Sequence, residues 1–190
     1  MAVSLEKGQK ISLEKEAGKS LTKVIMGLGW DVAQKRGFFG GKGGSIDLDA
    51  SCVMFDGNRQ ADTVWFRQLK SRDGSVVHTG DNLTGEGEGD DEQIIVDLSL
   101  VPANISALVF TVNSFTGQNF KNVGNAFCRI VDASNKKEIA RYDLTGGAEN
   151  NAMVMAKIYR HNNEWKMHAI GEQATGKTFK DLMPTIVQFL

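Results

Sequence analysis

The stretch from Gly80 to Glu92, G-D-N-L-T-G-E-G-E-G-D-D-E, holds the residues of this chain that are best suited to chemistry. It combines six acidic residues with four glycines and contains no cation. Two carboxylates about 6 Å apart at an effective dielectric of about 20 repel by roughly 3 kcal/mol. From Asp73 through Phe120 the chain has no lysine or arginine, so local salt bridges cannot neutralise this charge. The stretch therefore favours a bound metal ion, with a merely solvated acidic loop as the alternative.

Calcium is the ion that this composition favours. Glycines let the backbone turn tightly, and calcium accepts six to eight oxygen ligands in flexible geometry, whereas magnesium requires a rigid octahedron. The span from Asp81 to Glu92 has the length of an EF-hand loop, but the match fails. Leu83 and Gly85 stand where ligands are needed, and Glu86 stands where the turn requires glycine. We therefore expect a calcium site of another kind.

Further acids come from two neighbouring predicted strands. Residues 21–30 alternate and deliver Asp31 at the strand end, where a side chain can join a loop-built site. Residues 46–55 place Asp47 and Asp49 on one face and an apolar row on the other, which we expect in the core. Two acids on one strand face repel unless they are exposed or coordinated. The candidate metal ligands are Asp31, Asp47, Asp49, Asp81, Asn82, Asp90, Asp91 and Glu92.

The elements that must position these acids are short alternating strands with turn-rich joints. Strands 62–66 and 75–78 are expected to pair around the turn S-R-D-G, and only residues 179–190 have helical spacing. Without helices between the strands, an antiparallel β-sandwich is favoured over a parallel sheet. The sequence predicts a mainly β fold, a single domain over 1–190, with a short C-terminal helix. The other predicted strands cover 3–13 as two short strands, 93–98, 106–112, 126–131, 138–144, 151–159 and 164–170.

Composition and motifs exclude several function classes. A net charge of −1 argues against general nucleic-acid binding, and the N-terminus lacks the apolar core of a signal peptide. Cys52 and Cys128 are expected to be buried reduced thiols. Residues 171–178, G-E-Q-A-T-G-K-T, match the phosphate-loop pattern, but too little chain follows to complete a nucleotide site. No recognisable nucleophile motif points to catalysis.

Glycine-rich residues 32–45 contain the adjacent aromatics Phe38 and Phe39 among three cations. These rings either pack onto the domain or form an exposed aromatic and basic tip for a membrane surface or a protein. The sequence leaves both alternatives open.

The chain resembles the tellurite-resistance TerD family over nearly its whole length. The motifs that carry the resemblance are G-L-G-W-D at 27–31, D-L-D-A-S at 47–51, the acidic stretch at 80–92, A-R-Y-D-L at 140–144 and G-K-T-F-K-D-L at 176–182. The resemblance implies a cytoplasmic bacterial β-sandwich that binds two calcium ions in a loop-built acidic site. It does not imply enzyme activity, and we expect none. It also implies a stress-response role in tellurite tolerance and in resistance to phage and colicins.

By the same resemblance, the partners are other tellurite-resistance proteins, including a membrane-bound one that would bring the chain to the inner face of the membrane. The alternative function is a calcium-dependent membrane-surface adaptor, and a weaker one is a metal-dependent phosphohydrolase. An acidic pocket repels an oxyanion, so we expect no direct tellurite binding at this site.

Overall fold

The fold is a sandwich of two β-sheets. A computed structural model of the chain describes residues 2–32, 47–80, 90–143 and 149–190. In these ranges two sheets of six strands each face one another. The acids at 81, 86 and 88, the candidate ligand Asn82 and the aromatics at 38 and 39 lie outside the described residues.

The strands in the described part of the chain are β1 (Val3–Ser4), β2 (Lys10–Ser12), β3 (Lys23–Val32), β4 (Leu48–Asp56), β5 (Arg59–Val64), β6 (Val76–His78), β7 (Glu92–Asp97), β8 (Ala107–Ser114), β9 (Val123–Asp132), β10 (Glu138–Asp143), β11 (Ala152–His161) and β12 (Glu164–Ala174). The helices are α1 (Leu13–Ala17) and α2 (Phe179–Ile186), and 3-10 turns cover Phe120–Asn122 and Val187–Phe189.

The first sheet has the strand order β1-β10-β9-β3-β7-β6, and the second has the order β2-β12-β11-β8-β4-β5. The strand pairs are antiparallel except for β1 and β10, which run parallel. Strands β3 and β4, which carry the early candidate ligands, therefore lie in different sheets. Strand β7 follows the acidic stretch and pairs with β3, so the stretch returns to the first sheet.

Alternation along the strands builds the core between the sheets. Met26 and Leu28 of β3 and Cys52 and Met54 of β4 are at most 2 % exposed and belong to one apolar cluster. The predicted core face of β4 is thus confirmed, and both thiols are free and buried as expected. Burial raises the pKa of the Cys128 thiol to about 12.

A second apolar cluster lies on the outer face of the second sheet. Phe179, Leu182 and Ile186 of α2 belong to this cluster together with Val53 and Phe55 of β4. The helix packs mainly on β8 and β11. A carboxylate at the start of this helix fixes it, since Asp181 Oδ2 accepts hydrogen bonds from the Lys177 and Thr178 amides at 2.9 and 3.0 Å. The polar face predicted for β4 is therefore largely covered by the C-terminal segment.

The structure confirms most of the predicted strands but corrects two expectations. The strands near 62–66 and 75–78 exist as β5 and β6, yet β5 pairs with β4 in the second sheet and β6 pairs with β7 in the first. The turn between them crosses from one sheet to the other. Helix α1 was not predicted, because its five residues are too few for a helical period to show.

Candidate functional site

The start of β7 is joined to the end of β3 through Asp91. The Asp91 amide donates to Leu28 O at 2.8 Å, and its carboxylate Oδ2 accepts from the Trp30 amide at 2.8 Å. Asp31 follows directly, and its backbone pairs with Gly124 of β9. The predicted ligands Asp31 and Asp91 are thus brought to the same strand end by backbone hydrogen bonds.

Glu92 links the same point to the other sheet. It lies opposite Leu28, so alternation turns its side chain into the sandwich, where it is 1 % exposed. Its Oε2 accepts from the Ala50 amide at 2.7 Å and lies 3.3 Å from His78 Nε2. A buried carboxylate requires such partners, because burial without them is costly. Glu92 therefore sits against the peptide bond that joins Asp49 to Ala50.

The His78 ring is oriented by its other nitrogen. Its Nδ1 accepts a hydrogen bond from the Gly80 amide at 3.1 Å, and its Nε2 on the opposite side of the ring lies 3.3 Å from Glu92 Oε2. The acidic stretch begins at Gly80, and its first residue is thus tied to the side chain that contacts Glu92. Both ends of the stretch, Gly80 and Glu92, are fixed beside one another.

Asp49 is paired across the second sheet with Asn113 of β8, which is directly opposite in the register. Asn113 Nδ2 donates to Asp49 Oδ2 at 3.3 Å and to Lys177 O at 2.6 Å. Both side chains are buried, at 4 % and 1 % exposure. Asn113 Oδ1 has no hydrogen-bond partner among the described residues. This buried amide oxygen is an unused hard ligand next to a candidate carboxylate.

Asp90 takes a different position from its neighbours. Its carboxylate lies on the outer face of the first sheet, with Oδ1 2.7 Å from Arg129 Nε and Oδ2 3.1 Å from Gln93 Nε2. The hydrogen bond that Arg129 donates to Asp90 is the largest cause that raises the pKa of the Arg129 guanidinium. The role of Asp90 as a calcium ligand stays a prediction, and its hydrogen bonds favour a structural role.

The remaining predicted ligands are placed as follows. Asp47 is half-buried just before β4, and Asp81 and Asn82 lie outside the described residues. Within the described ranges, no group of three or more His, Cys, Asp or Glu side chains is arranged to hold a metal ion. The candidate ligands in the described ranges therefore do not form a metal site by themselves.

The segment that matches the phosphate-loop pattern uses its amides within the protein. The Gly176 amide donates to Asn151 Oδ1 at 3.0 Å, and the Lys177 and Thr178 amides donate to Asp181. A phosphate loop presents these groups to the ligand instead. The segment acts as the start of α2 and, through Lys177 O, as a support for Asn113.

Asn113 and Arg129 are the residues that the sequence did not reveal. Asn113 ends the apolar run of β8, and a polar residue at a strand end is the signal that could have singled it out. The pairing of Asn113 with Asp49 follows from the strand register, which the sequence does not give. Arg129 lies 39 residues after Asp90, too far along the chain for sequence spacing to indicate that the two residues pair.

The TerD domain model matches residues 1–185 of this chain. The chain belongs to the TerD family. It is 50 % identical over 189 residues to the tellurium resistance protein TerZ of Serratia marcescens, covering 97 % of each chain. It is 46 % identical over 201 residues to stress response protein SCP2 of Bacillus subtilis (strain 168), covering 98 % of this chain and 100 % of the relative.

A solved structure confirms the fold. The crystal structure of a homologue of telluride resistance protein (TerD) from Streptomyces coelicolor A3(2) superposes on this TerD-family chain with a TM-score of 0.63. It is 18 % identical and covers 84 % of this chain and 92 % of that one. None of the helices in the described ranges has the length and hydropathy that a membrane crossing requires.

Proposed function

We propose that this TerD-family chain is a calcium-binding, non-enzymatic regulatory or scaffold module of a stress response that includes tellurite resistance. One observation supports it above the others. The Asp91 carboxylate accepts from the amide of Trp30, the residue before Asp31, and the Glu92 carboxylate accepts from the amide of Ala50, the residue after Asp49. Asp31 and Asp49 lie on strands of different sheets. Four acids from three strand ends are thereby brought to one end of the sandwich, beside the acidic stretch.

The donor chemistry fits calcium. The proposed ligands are the oxygens of Asp31, Asp47, Asp49, Asp91 and Glu92, with Asp81 and Asn82 from the acidic stretch. Asn113 joins them, because its buried Oδ1 has no hydrogen-bond partner among the described residues. Hard oxygen donors of this kind suit calcium, and we propose two ions as the family resemblance implies.

Calcium would act on stability and on the surface of the acidic end. A bound ion offsets the repulsion among the carboxylates and adds stability of RT ln(1 + [Ca]/Kd), about 2.7 kcal/mol at a hundredfold excess over Kd. A partner would recognise the change in charge and order that calcium produces at this end. We propose that the partners are other tellurite-resistance proteins in the cytoplasm, one of them membrane-bound.

Isothermal titration of the metal-stripped protein with calcium, repeated with magnesium, tests the proposal. We expect saturable binding of about two equivalents that is selective for calcium, and a melting temperature that rises with calcium. The variants Asp49→Asn, Asp91→Asn and Glu92→Gln each remove one charge and should weaken binding at least about tenfold, or about 1.4 kcal/mol.

Glu172→Gln is the matched control. Glu172 is a half-buried acid on β12, three strands from β4 in the second sheet, and pairs with Lys7 at 2.8 Å, so this variant should bind calcium as the wild type does. No heat of binding together with an unchanged melting temperature would reject the calcium site. Liposome cosedimentation with and without calcium tests the membrane-surface adaptor, which predicts calcium-dependent pelleting.

A further inference from the structure

A cleft of about 360 Å³ lies beside β5, on the side of the second sheet that α2 covers. Its lining combines two aromatic side chains with cations and amides: Gln60, Ala61, Asp62, Thr63, Trp65, Gln68, Arg72, Phe179 and Lys180. This volume is at the lower end of the range for small-molecule sites. The cleft is separate from the acidic site, because none of the candidate metal ligands lines it.

The aromatic wall of the cleft is held rigidly. The Trp65 ring makes edge contacts with Phe66 and Phe179, with centroids 4.8 and 5.2 Å apart. Arg67 lies over the Trp65 and Phe66 rings at 5.6 and 5.3 Å. Such contacts fix ring orientation and contribute beyond apolar burial. Trp65 is thus a prearranged flat surface that is only partly covered by the protein.

The cleft carries a net positive charge, because its lining contains Arg72 and Lys180 but a single acid. Asp62 is the acid of the lining, and its carboxylate already accepts from the Thr63 and Arg72 amides and from Gln68 Nε2 at 2.8 to 2.9 Å. Burial raises the pKa of Asp62, but these hydrogen bonds lower it further, so the net shift is downward. Asp62 therefore stays ionised and is satisfied locally.

The cations of the lining are less engaged. Arg72 Nε is 3.9 Å from Asp62 Oδ1, and the Arg72 side chain is 83 % exposed. Lys180 Nζ lies 5.7 Å from the Trp65 ring centroid and has no carboxylate within ion-pair distance among the described residues. Two cationic side chains beside a partly exposed aromatic ring provide charge for an anion and a surface for a ring.

We propose that this cleft binds a small phosphate ester that also carries a planar ring, as a mononucleotide does. The phosphate would pair with Arg72 and Lys180, and the ring would lie against Trp65. A dianionic phosphate matches two cations better than a single carboxylate does. This site is distinct from residues 171–178, whose Lys177 does not line the cleft.

Three probes distinguish the contribution of the ring from that of the phosphate. Adenosine monophosphate carries ring and phosphate, adenosine carries the ring alone, and glycerol phosphate carries the charge alone. Titration calorimetry in calcium-free buffer, followed in parallel by intrinsic tryptophan fluorescence, measures each affinity. We expect saturable binding of adenosine monophosphate at least about tenfold tighter than either partial probe, since each part contributes at least about 1.4 kcal/mol.

Variants then test the assigned residues. Lys180→Gln and Arg72→Gln should each weaken adenosine monophosphate binding about five- to tenfold, because each removes one charge-assisted contact. Lys137→Gln removes an exposed lysine before β10 in the other sheet and should change the affinity less than about twofold. Thermal melts confirm that the variants are folded. No saturable binding of adenosine monophosphate up to about 10 mM, or equal affinities in wild type and both cleft variants, overturns the proposal.

Discussion

The Asp90 carboxylate lies directly over the Cα of Gly27 on the outer face of the first sheet. A Cβ added at Gly27 would be 2.2 Å from Asp90 Oδ2. Gly27 is paired with Gln93 on one side and with Arg129 on the other, and these two side chains hold the carboxylate between them. The absence of a side chain at Gly27 therefore makes room for the residue that fixes the end of the acidic stretch.

Gly27→Ala should destabilise the protein by about 1–3 kcal/mol, because the new methyl group displaces the Asp90 carboxylate. A loss of stability would be informative, since replacing glycine by alanine in a strand interior normally stabilises a protein by about 0.5–1 kcal/mol. In an Asp90→Ala background the same substitution should be neutral or stabilising. Urea unfolding of the four proteins measures the coupling. Equal losses in both backgrounds would contradict the contact.

Asn113→Ala should weaken calcium binding about tenfold, because it removes the buried Oδ1 and the support that Asn113 gives Asp49. Titration calorimetry measures the affinity at a temperature where circular dichroism shows both proteins folded. The matched control is Asn104→Ala, whose side chain is exposed and contacts Asp56 at the far end of β4. An unchanged calcium affinity in Asn113→Ala would remove this residue from the proposed site.

The strands could be predicted from the sequence because alternation shows which face of the sheet each residue occupies. Alternation does not show which strand pairs with which. The alternation in β4 correctly separated Asp49 from the core face of Ala50 and Cys52. It could not show that the Asp49 face would be covered, because the covering segment before α2 is far away in sequence. The register that sets Asp49 opposite Asn113 is likewise a long-range property.

The sequence shows which acidic residues are candidates for the site, but it does not show how their side chains are arranged. Adjacent residues of an extended chain point to opposite faces, and this rule separates Asp91 and Glu92 once the strand is known. The sequence predicts a strand that begins at Gln93, with Glu92 in the loop before it, whereas β7 begins at Glu92. The structure turns Glu92 inward, where it links the two sheets through the Ala50 amide.

Asp181→Ala should lower the free energy of unfolding by about 1 kcal/mol at pH 7, because it removes the acceptor for two amides at the start of α2. The backbone hydrogen bonds from Lys177 and Thr178 are the largest causes that lower the pKa of Asp181 in the folded protein. A lowered folded-state pKa adds stability that is present above the unfolded pKa of about 3.9 and is lost as pH falls through the folded pKa.

The difference between the Asp181→Ala variant and the wild type should therefore be constant from about pH 5 to 8 and shrink below about pH 4. Urea unfolding at a series of pH values measures this difference. A gap that is the same at pH 3 and pH 7 would show that the Asp181 charge is not what fixes the helix start.

Gly171→Ala should be far more destabilising than Gly8→Ala, although both glycines have positive φ, at 60° and 84°. Each alanine costs about 1–2 kcal/mol in the left-handed region. At Gly8 a Cβ meets no atom within 4 Å, whereas at Gly171 it would be 1.9 Å from Tyr142 Oη. We expect Gly171→Ala to lose about 1–3 kcal/mol more, from overpacking between the two sheets. In a Tyr142→Ala background this excess should disappear, and urea unfolding measures it. An excess that persists there would place its origin outside the Tyr142 contact.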